Sequence, residues 1–195
     1  MTAGEDAVGE ELVALYDAAG AVIGSVPRSR MRAENLHHGA TGVLVRNRRG
    51  FVYVHRRTDT KDVYPGLYDF TAGGVIVAGE SPDESAAREL AEELGVSGVP
   101  ITPVGTAEYA DERTRFRAHL YEVTWDGEVR HQPEEVAWGA WWTPRELAEQ
   151  VAAEPDRFMP DSVALWADRL AAWREGRPEP SPATPRPEAP EAPRP

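Results

Sequence analysis

One stretch does most to fix what this chain can become. From Gly74, five residues lead to Glu80 and seven more to Arg88; the chain then runs Arg88-Glu89-Leu90-Ala91-Glu92-Glu93-Leu94-Gly95-Val96. Ser81-Pro82-Asp83-Glu84 predicts a helix start. Ser81 can cap, Pro82 suits the first helical position, and Glu84 completes a capping box. Gly95 is the expected stop, in the left-handed position past the last turn. The spacing therefore predicts a helix from about Pro82 to Leu94. On it, Glu89, Glu92 and Glu93 stand at i, i+3 and i+4 and share a face. Ala86, Leu90 and Leu94 form a neighbouring stripe suited to a core.

Three carboxylates on adjacent turns repel one another, by a few tenths of a kcal/mol per like-charged pair on a bare surface helix. A divalent cation reverses that sign. Mg2+ favours a few carboxylates, several waters and substrate phosphates. Bound there, it would bridge phosphate oxygens, neutralise a leaving group and acidify an attacking water. A solvated acidic helix face is the plain alternative for Glu92-Glu93 alone. The full spacing, with Gly74, Glu80, Arg88 and Gly95 in place, favours the metal site.

That spacing resembles the Nudix signature, G-x5-E-x7-R-E-U-x-E-E-x-G-U with U aliphatic, and every position is filled. The resemblance implies an α/β (α+β) fold, the Nudix α/β/α sandwich with a mixed β-sheet. It implies Mg2+-dependent hydrolysis of a diphosphate bond, with Mn2+ an alternative metal. Glu89, Glu92 and Glu93 are then metal ligands, and a backbone carbonyl at Gly73 or Gly74 completes the shell. Arg88 pairs with a box carboxylate and holds it in place. Glu80 orients the loop. The general base is Glu92, Glu93 or Glu135; Glu135 lies in a loop where many such enzymes carry a base or an extra metal ligand.

A second resemblance rests on Leu36-His37-His38-Gly39-Ala40-Thr41, His55-Arg56-Arg57, Lys61, Tyr64-Pro65-Gly66-Leu67-Tyr68-Asp69 and Ala72-Gly73-Gly74. These are similar to the Nudix branch related to isopentenyl diphosphate isomerase. The upstream segment from Tyr16-Asp17 to Arg32 resembles that branch's N-terminal extension. By this likeness Arg57, as a fork, and Lys61, as a point charge, hold a diphosphate; solvated strand-end charges are the alternative. The isomerase itself needs a Cys where Gly73 stands and a metal-binding His where Val75 stands. Arg113-Thr114-Arg115-Phe116 occupies the neighbourhood of its later acid. Isomerisation is therefore not expected, and His38 is left a structural or pocket-lining role. Tyr64, Tyr68, Trp138, Trp141 and Trp142 either stack a substrate base or belong to the core.

The 195 residues suffice for one ordinary domain. The net charge of -12 argues against nonspecific nucleic-acid binding and against an anionic membrane surface. With no cysteine, thiolate metal sites, Cys nucleophiles and disulfides are excluded. The acidic N-terminus has no apolar leader and no segment reads as a membrane span, so a cytoplasmic protein is expected.

Residues 1 to 10 are expected to be mobile, 11 to 175 to form the Nudix domain, and 176 to 195, rich in Pro, Glu and Ala, to be disordered. Within the domain, a hairpin is read over 11–16 and 21–24. A short helix is read within 27–35. Strands are read over 41–46, 51–56, 101–109, 116–125 and 138–142, with extended segments over 66–77. Thr143-Pro144-Arg145-Glu146 opens a helix to about Ala152, and Asp161-Ser162 opens a third reaching Trp173.

The expected substrate is a small-molecule diphosphate, of nucleoside diphosphate type or another X-diphosphate. No nucleic-acid or membrane partner is expected, and a homodimer is an assembly common in such folds. The reading of different class is a Nudix-like sensor that binds a nucleotide without turnover.

Overall fold

The computed structural model describes residues 10–179. The expectations for a mobile N-terminus and a disordered tail fall largely outside these residues. β1 (Leu12–Tyr16) and β2 (Val22–Pro27) form the first hairpin, and α1 (Arg28–Ala33) follows. β3 (His38–Arg46) and β4 (Val52–Arg57) are joined by a turn at Asn47, whose side chain accepts from the Arg49 and Phe51 N–H groups. Two-residue strands β5 (Tyr68–Asp69) and β6 (Thr71–Ala72) lead to α2 (Pro82–Leu94). Then come β7 (Thr102–Ala110), β8 (Arg115–Thr124), β9 (Val136–Trp142), α3 (Pro144–Ala153), α4 (Pro160–Leu165) and α5 (Ala167–Glu175).

The sheet is mixed. β3 and β8 run parallel in register from His38↔Phe116 to Arg46↔Thr124, and the other strand pairs are antiparallel. β3 and β4 touch only at Arg46↔Val52 and then diverge, β3 to β6 and β1, β4 to β9 and β5. That split opens the space in which the site lies.

Alternation along β3 decides the layers. Val43 and Val45 face α2, packing with Ala86, Leu90 and Leu94. Ala40 and Leu44 face the other way, against Leu147 of α3 and Trp166, Leu170 and Trp173. Each fully buried Leu contributes roughly 1.5–3 kcal/mol, so the apolar stripe on α2 fixes the direction of its acidic face. Both capping boxes form: Ser81 with Glu84 on α2, and Thr143 with Glu146 on α3. Gly95 takes φ 66 and closes α2.

Several boundaries differ from the sequence reading. β3 begins at His38 and β9 at Val136, because parallel pairing with β8 and antiparallel pairing with β4 extend them. The single third helix is two, α4 and α5, broken at Trp166 (φ -109, ψ 16), whose indole is 3% exposed in the core. Only two-residue strands form between Gly66 and Val77. Among the described residues no helix is long and apolar enough to cross a membrane.

Candidate functional site

A cavity of about 290 Å³ opens between the split strands. Its outer wall is the acidic face of α2, and its mouth carries Arg28, Arg32, Arg57 and Lys61. The three carboxylates of α2 are graded in depth. Glu93 is 6% exposed, the Glu89 side chain 16% and the Glu92 side chain 51%. Glu93 is deepest because it neighbours buried Leu94 and Leu90 on the packing stripe.

Arg88 organises this wall. Its Nε and Nη2 donate to the two oxygens of Glu80, at 2.8 and 3.0 Å. Its Nη1 donates to Glu89 at 2.9 Å and to Glu92 at 3.1 Å. The bidentate pair to Glu80 ties the loop before the helix to the helix.

Glu93 receives far less help. The Gly73 N–H donates to its Oε2 at 3.2 Å. Burial first, and then the charge of Glu89, push its carboxyl up to about 8. Burial likewise raises the Glu89 carboxyl, against the opposing pull of Arg88. The three carboxylates do not already form a cage; among the described residues no three acidic or histidine side chains converge on one ion position.

The donor set nonetheless suits a hard divalent cation. Two under-compensated buried carboxylates lose their desolvation penalty when a positive charge binds. The backbone leaves room as well. A Cβ on Gly74 would lie 2.6 Å from Glu89 Oε1, so only glycine lets the chain pass this close. The Gly74 carbonyl accepts the Thr41 N–H at 2.8 Å and, at 3.5 Å, the Thr41 hydroxyl, a contact at the outer limit that a cation would displace.

Glu135 reaches the cavity from the loop before β9 and forms an ion pair with Lys61. Lys61 is thus not the isolated phosphate-binding charge of the sequence reading. Burial, then Arg57, lower its ammonium. Arg57 is not a free fork either. It donates from Nε to the Tyr64 carbonyl (3.3 Å) and from Nη2 to the Val63 carbonyl (3.0 Å), bracing the loop after β4. Tyr64 lines the cavity, with its hydroxyl on Asp111 and φ at 51. Tyr68, Trp138 and Trp142 pack on one another, Tyr68 and Trp142 also on Phe158, while Trp141 packs on Tyr53. None of these four lines the cavity, so base stacking falls to Tyr64 alone among the aromatics considered.

His38 lines the cavity at 1% exposure, with Nδ1 on the Leu36 carbonyl, and burial lowers it to about 4. It is a neutral wall. Gly73 leaves no room for the isomerase's Cys, since a Cβ there would lie 2.1 Å from the Thr41 carbonyl oxygen. Val75 is buried at 5% in a bridge to β3.

The floor of the cavity was missed by sequence reasoning. Asp69, Thr71, Asp161 and Ser162 line it, with Phe116 and Trp166. Asp161-Ser162 was legible only as a helix start, and Asp69 only as part of a resemblance. No spacing signal links residues that meet across a tertiary contact.

A NUDIX domain family model matches residues 36–162. A Nudix hydrolase of Rhodococcus erythropolis, orf19, is 45% identical over 169 residues, covering 82% of this chain and 91% of its own. The Nudix hydrolase YfcD of Escherichia coli K12 is 42% identical, covering 77% and 83%. The crystal structure of DR0079 from Deinococcus radiodurans superposes with a TM-score of 0.62 at 26% identity, covering 73% of this chain and 90% of that one. A MutT protein of Methanosarcina mazei, at 20% identity and a TM-score of 0.57 over 72% and 94% of the two chains, shares the fold.

Proposed function

This chain belongs to the NUDIX domain family and is a Nudix hydrolase acting on pyrophosphate bonds; within that family we propose that it hydrolyses a small X-diphosphate with Mg2+, Mn2+ being the alternative. The observation that carries the metal reading is Glu93: a carboxyl 6% exposed, beside Glu89 and given a single N–H donor, is what a cation would complete. Glu89, Glu92 and Glu93, with the Gly74 carbonyl, would hold the ion. Bound there, it supplies charge neutralisation on the phosphate oxygens and acidifies water.

The chain's own residues do the rest. Arg88 fixes Glu89 and Glu92 in place. Arg28, Arg32, Arg57 and Lys61 at the mouth draw in the diphosphate. Water attacks one phosphorus, the bridging P–O bond breaks, and the departing phosphate carries away the bond's electron pair. Glu135 takes the water's proton, held in position by Lys61, and Glu92 or Glu93 is the other candidate for that step. Tyr64 packs against the substrate at the mouth. The protein works as a small-molecule enzyme in the cytoplasm, without nucleic acid or membrane.

The test is phosphate release from a panel of diphosphates, with and without Mg2+, for wild type and Glu93→Gln. Turnover that needs both the metal and Glu93 supports the reading. Tight binding of one ligand that survives Glu93→Gln, with no turnover, would replace it with the sensor.

A further inference from the structure

The cavity does not end at the α2 carboxylates. Away from them, the same cavity forms a chamber with a polar floor and apolar sides. Asp69 is 6% exposed. Its Oδ1 accepts from the Phe70 N–H (2.7 Å), the Thr71 N–H (3.0 Å), the Thr71 hydroxyl (3.2 Å) and the Ser162 hydroxyl (2.7 Å). Its Oδ2 has no hydrogen-bond partner among the described residues. Asp161 stands next to it. Its Oδ1 accepts the Ser162 N–H at 2.8 Å, and its Oδ2 is likewise without a partner among them. Both residues line the cavity. Burial first, and then the charge of Asp69, push the Asp161 carboxyl up to about 7.

Arg57 and Arg32 act on Asp161 through space, but neither forms an ion pair with it among the described residues. Arg32 leans to Asp62, at 3.7 Å, and Arg57 spends its Nε and Nη2 on backbone carbonyls. The sides of the chamber are Phe116, Leu120, Leu165 and Trp166. An apolar chamber could have been completed with one more apolar side chain. Instead two carboxylates with an unpartnered oxygen each line it, and a hydrocarbon guest would leave those oxygens unpaired.

We propose that Asp161, backed by Asp69, selects the group attached to the diphosphate: the chamber takes a compact X bearing a hydrogen-bond donor, a hydroxyl or an amino group, and turns away a hydrocarbon X. This rests on the diphosphate reading above. The diphosphate lies at the α2 wall and the arginine mouth, and X points inward. The stem of X packs on Trp166 and Phe116 while its donor reaches Asp161 Oδ2. Asp161 is a specificity residue and takes no part in the bond cleavage.

The experiment uses three diphosphates of one shape: isopentyl diphosphate, and its analogues with one branch methyl replaced by hydroxyl or by amino. Wild type should favour the hydroxyl and amino compounds over isopentyl by roughly 100-fold in kcat/KM. Asp161→Leu should reverse that order. Asp161→Asn, which keeps an acceptor oxygen, should retain preference for the hydroxyl compound. The second readout is the melting-temperature shift produced by the three methylenediphosphonate analogues, which cannot be hydrolysed. The same order should appear there, and should invert in Asp161→Leu. Equal or better use of isopentyl by wild type, or an unchanged order in Asp161→Leu, overturns the proposal. If no diphosphate is cleaved, the substrate reading fails while the melting shifts still decide whether Asp161 selects X.

Discussion

Glu93 on α2 and Asp69 on β5 are each 6% exposed and stand on opposite walls of one cavity, yet their carboxylates are treated differently. Asp69 gathers four donors on one oxygen, two from its own following backbone. Glu93 has one, a backbone N–H at 3.2 Å. A carboxylate held by hydrogen bonds is finished by the fold, whereas one left with Glu89 beside it and little compensation is finished by a ligand. The α2 wall is therefore where chemistry is expected, and the floor is where the fold is held and, by our proposal, where X is chosen.

The sharpest way to separate the walls is Glu93→Gln. It should lower metal-dependent turnover by about a thousandfold. Stability without divalent cation should stay within about 1 kcal/mol of wild type, since a buried charge is removed. Urea midpoints alongside kcat check both halves; a collapsed midpoint would mean that Glu93 is structural. Gly73→Cys tests the backbone that joins the walls. Its Cβ would meet the Thr41 carbonyl at 2.1 Å, so a loss of more than about 3 kcal/mol is expected in the same denaturation.

Asp69→Ala should show the reverse of Glu93→Gln: a loss of roughly 2–3 kcal/mol from the donors it strands. An unchanged midpoint would break the comparison. The floor side should also answer to pH through His55, the strand partner of Asp69, and through His38. Burial lowers each imidazole from 6.5 to about 4. The unfolded chain therefore binds protons that the folded chain refuses. Their contribution is complete above about pH 6.5 and is lost as pH falls toward 4. At pH 5 each should cost roughly 2 kcal/mol relative to pH 7, and His55→Gln should flatten that slope in midpoints taken at both values. Smallest is Ser81→Ala, which removes the α2 cap and should cost about 1 kcal/mol while leaving the turnover ratio between wild type and Glu93→Gln intact.

The α2 helix was legible from Pro82 to Leu94 because its signals are local. A capping residue, an N-terminal proline, an i, i+3, i+4 stripe and a terminal glycine all act within a few residues. The α3 cap at Thr143 was legible for the same reason. The break at Trp166 was not, because the periodicity runs on through it and only the pull of the indole into the core interrupts it. Arg57 and Lys61 were legible as charges, but their partners, the Val63 and Tyr64 carbonyls and Glu135, depend on how a loop folds back.

The sequence by itself determined the acidic face of α2, its caps and its orientation, because spacing along one helix is geometry written into the chain. Only the tertiary structure decided that Glu93 is deep and Glu92 exposed, since the depth of each carboxylate depends on the strands packed against α2. It alone brought Asp69 and Asp161 together through Ser162, at 2.7 and 2.8 Å. Those residues lie on β5 and α4, with four strands and two α-helices between them in sequence. Desolvation acts on distance in space, and distance along the chain does not encode it.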